Sequence, residues 1–427
     1  MGKRLKKFAI ITLGCRTNQY ESYSYDKQLR EMGYIEVRGV EEADICIVNT
    51  CSVTASADGR SRQQIRRVAK RHPNAEIIVT GCFAENAGSE LLQMKGVSKV
   101  VSNRKKESLL STVFPGEDIP EFSIKNFPEH TRAFVKIQDG CNSFCSYCII
   151  PYVRGRSRSR MIDSIVGEAE VLLSNGYKEI VLTGVNVGDF DGGEKGKKSH
   201  NLAALVRILD EMPGLERIRI SSIDPNDVDD DLFDAIIHGK KTCQSMHLVL
   251  QSGSNSILKR MNRKYTKEIF YDTVFRLYGA NADFSLTTDV IVGFPGETDR
   301  DFSETLEVVE RVKFAKVHVF PYSERERTRA ALYPHKVSSG RIKERKEELM
   351  RLSNKAAYEF RDRFLNRKMT VLTEVLDDGK IGRVSGHTDN FLKVFLPCDK
   401  LRPNELVEVE LIENVSDGFL GSLLNKL

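Results

Sequence analysis

Three closely spaced cysteines are the strongest chemical signal in the sequence. Cys141, Cys145 and Cys148 stand in the run Gly-Cys-Asn-Ser-Phe-Cys-Ser-Tyr-Cys, with the spacing C-x3-C-x2-C. Iron–sulfur clusters are bound by cysteine thiolates, so three thiolates leave one iron of a four-iron cluster without a protein ligand. An open coordination position is typical of a metal centre that reacts or binds substrate, as in catalytic zinc sites. The spacing therefore predicts a reactive cluster.

A second set of three cysteines is visible only through the elements that precede it. Cys15, Cys51 and Cys82 each follow a short apolar segment, and we predict strands at Phe8–Leu13, Asp44–Val48 and Glu76–Thr80. Alternating strands and helices over residues 1–120 predict a parallel sheet, and such sheets bind ligands at the carboxyl ends of their strands. We expect these cysteines to meet there and to bind a second cluster. The alternative is that they are small buried hydrophobic residues, as we predict for Cys46 inside the second strand.

Composition limits the class of protein. The chain has 427 residues, of which 40% are hydrophobic, so two or three domains with sizeable cores are expected. The odd number of nine cysteines, without a secretory leader pattern, indicates reduced thiols and metal binding. No apolar run is long enough to span a bilayer, so we expect a cytoplasmic protein that binds no membrane. The net charge of +5 does not by itself indicate nucleic-acid binding.

Residues 128–330 repeat the strand–helix alternation six times. Strands are predicted at Ala133–Gln138, Glu179–Thr183, Arg217–Ser221, His247–Gln251, Asp283–Val292 and Lys316–Phe320. Successive βα units with right-handed crossovers form a barrel, here an incomplete, TIM-like (β/α)6 barrel with the Cys141 loop after its first strand. Chemistry in such barrels lies at the carboxyl ends of the strands. Candidate cofactor-binding residues in the loops there are Gly184, Asn186, Ser221, Gln251 and Gly293.

Basic residues are concentrated near the predicted sites. Four arginines alternate directly after the cysteine loop, and we expect them to contact RNA or a cofactor phosphate: Arg154, Arg156, Arg158 and Arg160. A second patch, from Arg60 to Arg71, contains no acidic residue. A third, from Glu324 to Lys368, has fourteen basic and seven acidic residues. The alternative for each patch is a solvated helix face.

The last part of the chain changes character. From Met369 onward, alternating apolar residues and a turn at 377–379 predict a five-stranded β-barrel. Its six Lys and Arg against ten Asp and Glu argue against binding RNA by charge alone. Contact with RNA would need specific residues, and the alternative is a module that docks on the larger barrel. The candidate contacts are Arg383, His387, Asn390 and Phe391, while Cys243 and Cys398 are predicted to be structural.

Both cysteine sets together resemble the methylthiotransferases of the radical S-adenosylmethionine family. The resemblance covers nearly the whole chain and is most specific in DGCNSFCSYCIIPYVRGRSRSR, residues 139–160. Residues 12–21 and 319–323 are most similar to the branch that acts on tRNA threonylcarbamoyladenosine. The family's Arg-x-Gly-Thr appears as Arg325-Glu326-Arg327-Thr328, without the glycine. The resemblance implies an α/β fold with three domains: a cluster-binding domain at 1–120, a radical core at 121–360 and a TRAM-like β-barrel at 361–427.

The resemblance also implies cofactors and chemistry. The cluster at Cys141, Cys145 and Cys148 would cleave S-adenosylmethionine to a 5′-deoxyadenosyl radical, which removes the C2 hydrogen of the target adenine. A second [4Fe-4S] cluster, at Cys15, Cys51 and Cys82, would hold the sulfur to be inserted. The product would be the 2-methylthio derivative of N6-threonylcarbamoyladenosine at tRNA position 37, beside the anticodon. An electron donor such as flavodoxin or ferredoxin is implied, and no acid–base side chain is expected to be essential.

Other functions stay open at this point. The substrate could be isopentenyladenosine in tRNA or an aspartate of a ribosomal protein, which other branches of the family modify. A different class is an iron–sulfur electron carrier or an RNA-binding protein without catalysis, although three ligands per site fit a closed carrier cluster poorly. Zinc at either set of cysteines would make the protein colourless.

Overall fold

The computed structural model describes residues 6–37, 39, 42–127, 130–193, 200–376, 382–397 and 401–427. The predicted turn at 377–379 and Cys398 lie outside them. The chain divides into two compact units. The first comprises Met1–Asn126, Gln138–Arg158 and Ser323–Ala331, and the second comprises Phe127–Ile137, Ser159–Tyr322 and Leu332–Leu427. Across the described residues, every helix is too short or too polar to cross a membrane.

The strands and helices alternate through most of the chain. The strands are β1 (Lys7–Thr12), β2 (Ile35–Glu36), β3 (Ile45–Thr50), β4 (Glu76–Gly81), β5 (Val97–Val100), β6 (Arg132–Lys136), β7 (Gln138–Asp139), β8 (Arg158–Ser159), β9 (Glu179–Thr183), β10 (Arg217–Ile220), β11 (Ser245–His247), β12 (Ser285–Val292), β13 (Lys316–Pro321), β14 (Lys368–Leu376), β15 (Arg383–Thr388), β16 (Lys393–Pro397), β17 (Leu406–Val415) and β18 (Gly418–Lys426). The helices are α1 (Arg16–Glu31), α2 (Ala55–Arg71), α3 (Cys82–Leu92), α4 (Leu109–Val113), α5 (Ile150–Val153), α6 (Ile162–Ser174), α7 (Leu202–Asp210), α8 (Asp230–His238), α9 (Asn255–Arg260), α10 (Lys267–Ala280), α11 (Asp299–Val312) and α12 (Ser339–Asp362).

The first unit is built on a parallel sheet with the strand order β2-β1-β3-β4-β5. Every residue of the central strand β3 is buried, as expected for a parallel strand with helices on both faces. Ile47 packs in the core on one face, and Cys46 and Val48 pack on the other. The predicted parallel sheet is confirmed, and Cys46 is a core residue.

The second unit contains the predicted incomplete barrel. Its six strands form two parallel three-stranded sheets, β10-β9-β6 and β11-β12-β13. Single bridges from Ile218 to Thr242 and from Ile223 to Leu248 connect the two sheets. Helices follow the strands, and their apolar faces are buried, as on α6 at Ile165 and Ala169. The strand order agrees with the sequence prediction.

The second unit ends in a small closed barrel with the order β14-β15-β16-β18-β17, which confirms the predicted five-stranded fold. Arg217 of the larger barrel donates hydrogen bonds to the backbone oxygens of Thr370 and His387. The Phe391 ring lies under the guanidinium groups of Arg132 and Arg219, at 5.1 and 4.6 Å.

The docking alternative for the small barrel is therefore supported by its contacts. His387 and Phe391 stack on each other, with ring centroids 4.4 Å apart. The buried Asn390 donates to the backbone oxygen of Asp283. These three candidate RNA contacts are occupied by packing within the second unit.

Candidate functional site

Three strand-to-helix turns of the first unit carry one set of cysteines. Cys15 caps the N-terminus of α1, Cys51 directly follows β3, and Cys82 is the first residue of α3. The strands before them, β1, β3 and β4, are neighbours in the sheet. The strand order reverses between β1 and β3, and open α/β sheets bind ligands at such a switch point. The strand ends meet as predicted, while metal binding by these thiols stays a prediction.

The thiols of this set are close together. Gly14 has φ +106°, and a Cβ atom at this position would lie 2.9 Å from Cys51 Sγ. The pKa of Cys82 is raised to about 12, chiefly by burial, with a lowering effect of Arg154 and raising effects of the nearby Cys15 and Cys51. Buried thiols with raised pKa values need a metal to stay deprotonated. Three converging thiols at one sheet edge fit a cluster with one open iron.

The second set lies in one loop of the first unit. Cys141 N–H donates to the Gly155 oxygen at 3.1 Å, and Cys148 N–H donates to the Cys145 oxygen at 3.0 Å. Ser143 N–H donates to Cys141 Sγ at 3.4 Å, a kind of bond that tunes cluster sulfurs. All three thiols are partly exposed. The donor set fits a cluster whose fourth position faces a ligand.

Gly140 directly precedes the cysteine loop, and its backbone conformation and close packing require a glycine there. Its φ is +73°, and an added Cβ atom would lie 2.1 Å from the Arg156 oxygen. The backbone of the cysteine loop therefore packs directly against the segment that follows it. Any side chain here would displace the first cysteine of the set.

Arg154 is buried, with 1% exposure, in a network that involves both cysteine sets. Its guanidinium donates to Glu21 Oε1 and Asp139 Oδ1, both at 3.0 Å, and to Asn18 Oδ1. The buried Lys106 forms ion pairs with the same two carboxylates. This contradicts the predicted contact of Arg154 with RNA, because its donors point into the protein. Asn18 follows Cys15 by one helical turn, and Asp139 lies just before Cys141.

The remaining arginines of the predicted stretch differ in exposure. Arg156 and Arg158 are exposed, and Arg158 also approaches Asp139 Oδ2 at 3.4 Å. Arg160 belongs to the second unit and donates to Glu168 Oε2 at 2.6 Å. Contact of these three arginines with RNA stays a prediction.

A row of cations and aromatic rings runs over the cysteine loop. Arg156 lies over the Phe144 ring at 4.2 Å, and Phe144 meets Tyr152 edge to face at 6.3 Å. Arg327 lies over the Tyr152 ring at 5.2 Å. We name these four residues the cation–aromatic row. Arg327 is not among the candidate site residues predicted from the sequence, although its place at the missing family glycine was a signal.

The predicted cofactor residues lie in the second unit. Gly184 and Asn186 follow β9, Ser221 follows β10 and Gly293 follows β12, so they lie after the carboxyl ends of barrel strands as predicted. Gln251 is bridged to Val290 of β12 and has φ +65°.

The polar side chains among them differ in their hydrogen bonds within the protein. Ser221 Oγ is hydrogen-bonded to Thr183 Oγ1 at 3.1 Å, and Asn186 Nδ2 lies 3.4 Å from Asp227 Oδ2. Gln251 Oε1 is buried, and the described part of the chain offers it no hydrogen-bond partner. Cofactor binding by these residues stays a prediction.

Comparison with known families gives two matches. Residues 7–102 match the Uncharacterized protein family UPF0004, and residues 135–309 match the Radical SAM superfamily. The second match implies S-adenosylmethionine and a [4Fe-4S] cluster. Among solved structures, the radical S-adenosylmethionine methyltransferase TsrM from Kitasatospora setae is similar over 74% of this chain and 75% of its own, with a TM-score of 0.56. At 14% identity this likeness concerns the fold alone.

Curated relatives are similar over nearly the full length. The threonylcarbamoyladenosine tRNA methylthiotransferase MtaB of Chlamydia pneumoniae is 44% identical, over 98% of each chain. The protein of the same name from Bacillus subtilis (strain 168) is 37% identical, over 95% of this chain and 93% of its own. A tRNA-2-methylthio-N(6)-dimethylallyladenosine synthase of Thermoanaerobacter pseudethanolicus is 34% identical, over 99% of this chain and 93% of its own. The chain therefore belongs to the radical S-adenosylmethionine methylthiotransferases, in the family of threonylcarbamoyladenosine tRNA methylthiotransferases.

Proposed function

We propose that this enzyme converts N6-threonylcarbamoyladenosine at position 37 of tRNA, beside the anticodon, into its 2-methylthio derivative. The observation that carries the proposal is the presence of two three-cysteine sets in one compact unit. The reaction needs one site that generates a radical and another that delivers sulfur. Similarity to the MtaB proteins over the whole chain supports the choice of substrate.

Each set of cysteines has its own part in the proposal. Cys141, Cys145 and Cys148 would hold the [4Fe-4S] cluster that binds S-adenosylmethionine, and Cys15, Cys51 and Cys82 would hold a second [4Fe-4S] cluster. When bound, these groups supply the one-electron chemistry that removes the C2 hydrogen and the sulfur that replaces it. The chain's own residues position the thiols and exclude water.

Arg154 and its partners act as positioning residues in this proposal. A buried guanidinium hydrogen-bonded to Asn18, Glu21 and Asp139 fixes the first turn of α1 and the start of the cysteine loop. Errors of about 1 Å in the placement of reacting groups can lower rates by about 10²-fold. We infer that this network sets the geometry between the two sets.

S-adenosylmethionine would lie at the carboxyl ends of the barrel strands. Gly184 and Gly293 allow close approach of a ligand to the backbone. Ser221 and Asn186 offer polar side-chain atoms, and the buried Gln251 Oε1 lacks a partner among the described residues. An amide oxygen of this kind accepts a hydrogen bond from an amino group, which the cofactor carries.

tRNA would bind over the cysteine loop. The cation–aromatic row combines guanidinium groups for phosphates with rings on which unpaired bases stack. Arg158, Arg160 and the exposed basic residues of α2 extend the positive surface within their own units.

We also propose the division into domains at 1–120, 121–360 and 361–427, with a TRAM-like identity for the last. We further propose a cytoplasmic location and an electron donor such as flavodoxin or ferredoxin.

Nucleoside analysis of tRNA tests the proposal. A strain that lacks the gene should lose 2-methylthio-N6-threonylcarbamoyladenosine and accumulate its precursor. The wild-type gene should restore the product, and a Cys145→Ala variant should not. Persistence of the product, or loss of the 2-methylthio derivative of isopentenyladenosine instead, would contradict the assignment.

A second experiment separates an enzyme from an electron carrier. The purified protein is incubated anaerobically with S-adenosylmethionine and a reductant, and 5′-deoxyadenosine is measured. Formation above background is expected from the proposed enzyme. A background level with fully loaded clusters would favour a carrier.

A further inference from the structure

The interior face of the larger barrel carries three polar side chains on adjacent strands. His247 lies on β11, Asp289 on β12 and His318 on β13. Asp289 pairs with His318, and His247 pairs with Thr287. Residues two apart on a strand share a face, so all three side chains point to the same side. One ligand atom from each lies within 4.8 Å of the others.

The burial pattern along β12 identifies the side of the sheet to which these three side chains point. From residue 286 to residue 292, fully buried residues alternate with half-buried ones, and Asp289 is half-buried. The helices of a βα barrel lie outside its strands, so we assign the fully buried face of β12 to the helix side and the half-buried face to the interior of this incomplete barrel. The three side chains, which we name the interior triad, therefore line the barrel cavity.

His247 has an unmet hydrogen-bonding position. Its Nδ1 lies 2.9 Å from Thr287 Oγ1, which fixes the orientation of the ring. Its Nε2 lies 3.4 Å from Asp289 Oδ1. This Nε2 is buried and has no hydrogen-bond partner among the described residues. A buried polar atom without a partner is rare, so the atom is suited to a ligand that enters the cavity.

The triad lies next to the predicted cofactor-binding edge. Gln251 N–H donates to the backbone oxygen of Asp289 at 2.8 Å, and Ile291 N–H donates to the Gln251 oxygen. Gly293 directly follows β12, four residues after Asp289. A substrate group held by the triad would therefore sit below the place proposed for S-adenosylmethionine. Radical transfer requires that the substrate lie beside the cofactor.

We propose that His247, Asp289 and His318 bind the polar N6-substituent of the target adenosine. The inference rests on the proposed function and names the groups that select the substrate. The threonylcarbamoyl group carries a carboxylate, a hydroxyl and urea N–H groups. Imidazole N–H groups donate to a carboxylate, and the Asp289 carboxylate accepts from hydroxyl and N–H donors.

The triad also explains discrimination against an apolar substituent. A dimethylallyl group offers no hydrogen bond, so its entry would give no acceptor to the buried His247 Nε2. Sites built to hydrogen-bond a substrate reject analogues that lack the polar group by 10⁴-fold or more. Relatives named for dimethylallyladenosine, at 34% identity, are expected to need no such cluster.

Steady-state kinetics of the loaded enzyme tests the triad. The substrates are tRNA that carries threonylcarbamoyladenosine and the same tRNA that carries isopentenyladenosine. We expect His318→Gln and Asp289→Asn each to raise KM for the first tRNA by about tenfold, with a smaller change in kcat, because each loses charge-assisted bonds. The control is His238→Ala, an exposed histidine of α8, which should leave both constants unchanged. Iron and sulfide content verifies that every variant is loaded.

Each outcome decides one question. If the wild type acts on the threonylcarbamoyl substrate and both triad variants keep its kcat/KM within twofold, the triad proposal is overturned and the proposed function stands. If the wild type prefers isopentenyladenosine, both fall. Two imidazoles and a carboxylate also suit a divalent metal. One zinc per chain by metal analysis, lost in His318→Gln, would overturn substrate binding in favour of a metal site.

Discussion

The two sets of cysteines lie in the same compact unit but are built differently. Cys141, Cys145 and Cys148 come from one loop and are all partly exposed. The other set comes from three strand ends, where Cys51 and Cys82 are buried and Cys15 is exposed. A local set can be recognised by its spacing, whereas a set assembled by a sheet is recognised only after its strands are placed. The local set is therefore partly exposed at all three cysteines, whereas the assembled set buries two of its three.

Removing each set in turn is the most severe test of this difference. The triple variant Cys141→Ala, Cys145→Ala, Cys148→Ala should form no 5′-deoxyadenosine and keep about half of the iron, because the other set is carried by strand ends of the sheet and not by this loop. The triple variant Cys15→Ala, Cys51→Ala, Cys82→Ala should still form 5′-deoxyadenosine but no methylthio product. Iron, sulfide and product analysis measures both.

The control for this pair is Cys243→Ala, a buried cysteine in the second unit. It lies outside both sets and should keep the full iron content. Loss of both clusters from either triple variant would show that the two sets are one cooperative site. That result would remove the division of labour proposed above.

Sequence patterns predicted the parallel sheet and the small barrel, but they did not predict the buried pairing of Arg154. The apolar segments before Cys15, Cys51 and Cys82 predicted the parallel sheet, and alternation after residue 369 predicted the small barrel, because each pattern reflects local burial. Arg154 and Arg156 stand two residues apart and look equivalent in the sequence. Arg154 is buried because Glu21, from a distant part of the chain, lies opposite it. Such long-range pairing has no signal in one sequence.

Arg154→Met tests whether the two sets share a structural centre. The change leaves the buried carboxylates of Glu21 and Asp139 with the buried Lys106, and Asp139 also with the half-exposed Arg158. Removing one partner of a buried ionic network destabilises proteins by about 3–5 kcal/mol. We expect a loss of this size in the free energy of unfolding, measured anaerobically by urea denaturation, together with reduced iron in both sets.

Arg158→Met is the matched comparison for this prediction. Arg158 is about half exposed, so its loss should change stability by less than about 0.5 kcal/mol. It should instead weaken tRNA binding and lower the salt dependence of the affinity. Equal stability of the Arg154 and Arg158 variants would refute the central role of Arg154.

Substitution of the glycine beside each set of cysteines should have a milder effect than the cysteine and Arg154 variants, and should affect one set at a time. Gly14→Ala would place a methyl group 2.9 Å from Cys51 Sγ, and Gly140→Ala would place one 2.1 Å from the Arg156 oxygen. Both positions have positive φ, so each variant should lose about 1–3 kcal/mol of stability. Gly14→Ala should lower the iron held by the assembled set, and Gly140→Ala that of the loop set.

Selectivity is measured by repeating both changes in the two triple-cysteine backgrounds, where only one cluster remains. Gly59→Ala is the control, because this position in α2 has open space around it and a helix favours alanine. The same iron loss from both backgrounds would contradict the separation of the two sets.

Arg327→Gly is expected to have the smallest effect, and it tests what the surface over the loop set is for. Arg327 has φ +70°, a conformation that favours glycine, so the change relieves strain of about 1 kcal/mol. It also removes a contact with the Tyr152 ring of about 0.5–1 kcal/mol. These terms nearly cancel, and the thermal midpoint should stay within about 2 °C.

The affinity for tRNA separates the two effects of this change. A cation that touches a phosphate contributes about one to the slope of log affinity against log salt concentration. Arg327→Gly should therefore bind tRNA more weakly at low salt and show a slope smaller by about one. An unchanged slope with raised stability would mean that Arg327 merely replaces the family glycine at this turn. In that case the cation–aromatic row would end at Tyr152, and the loop set would have a shorter RNA-binding surface than proposed.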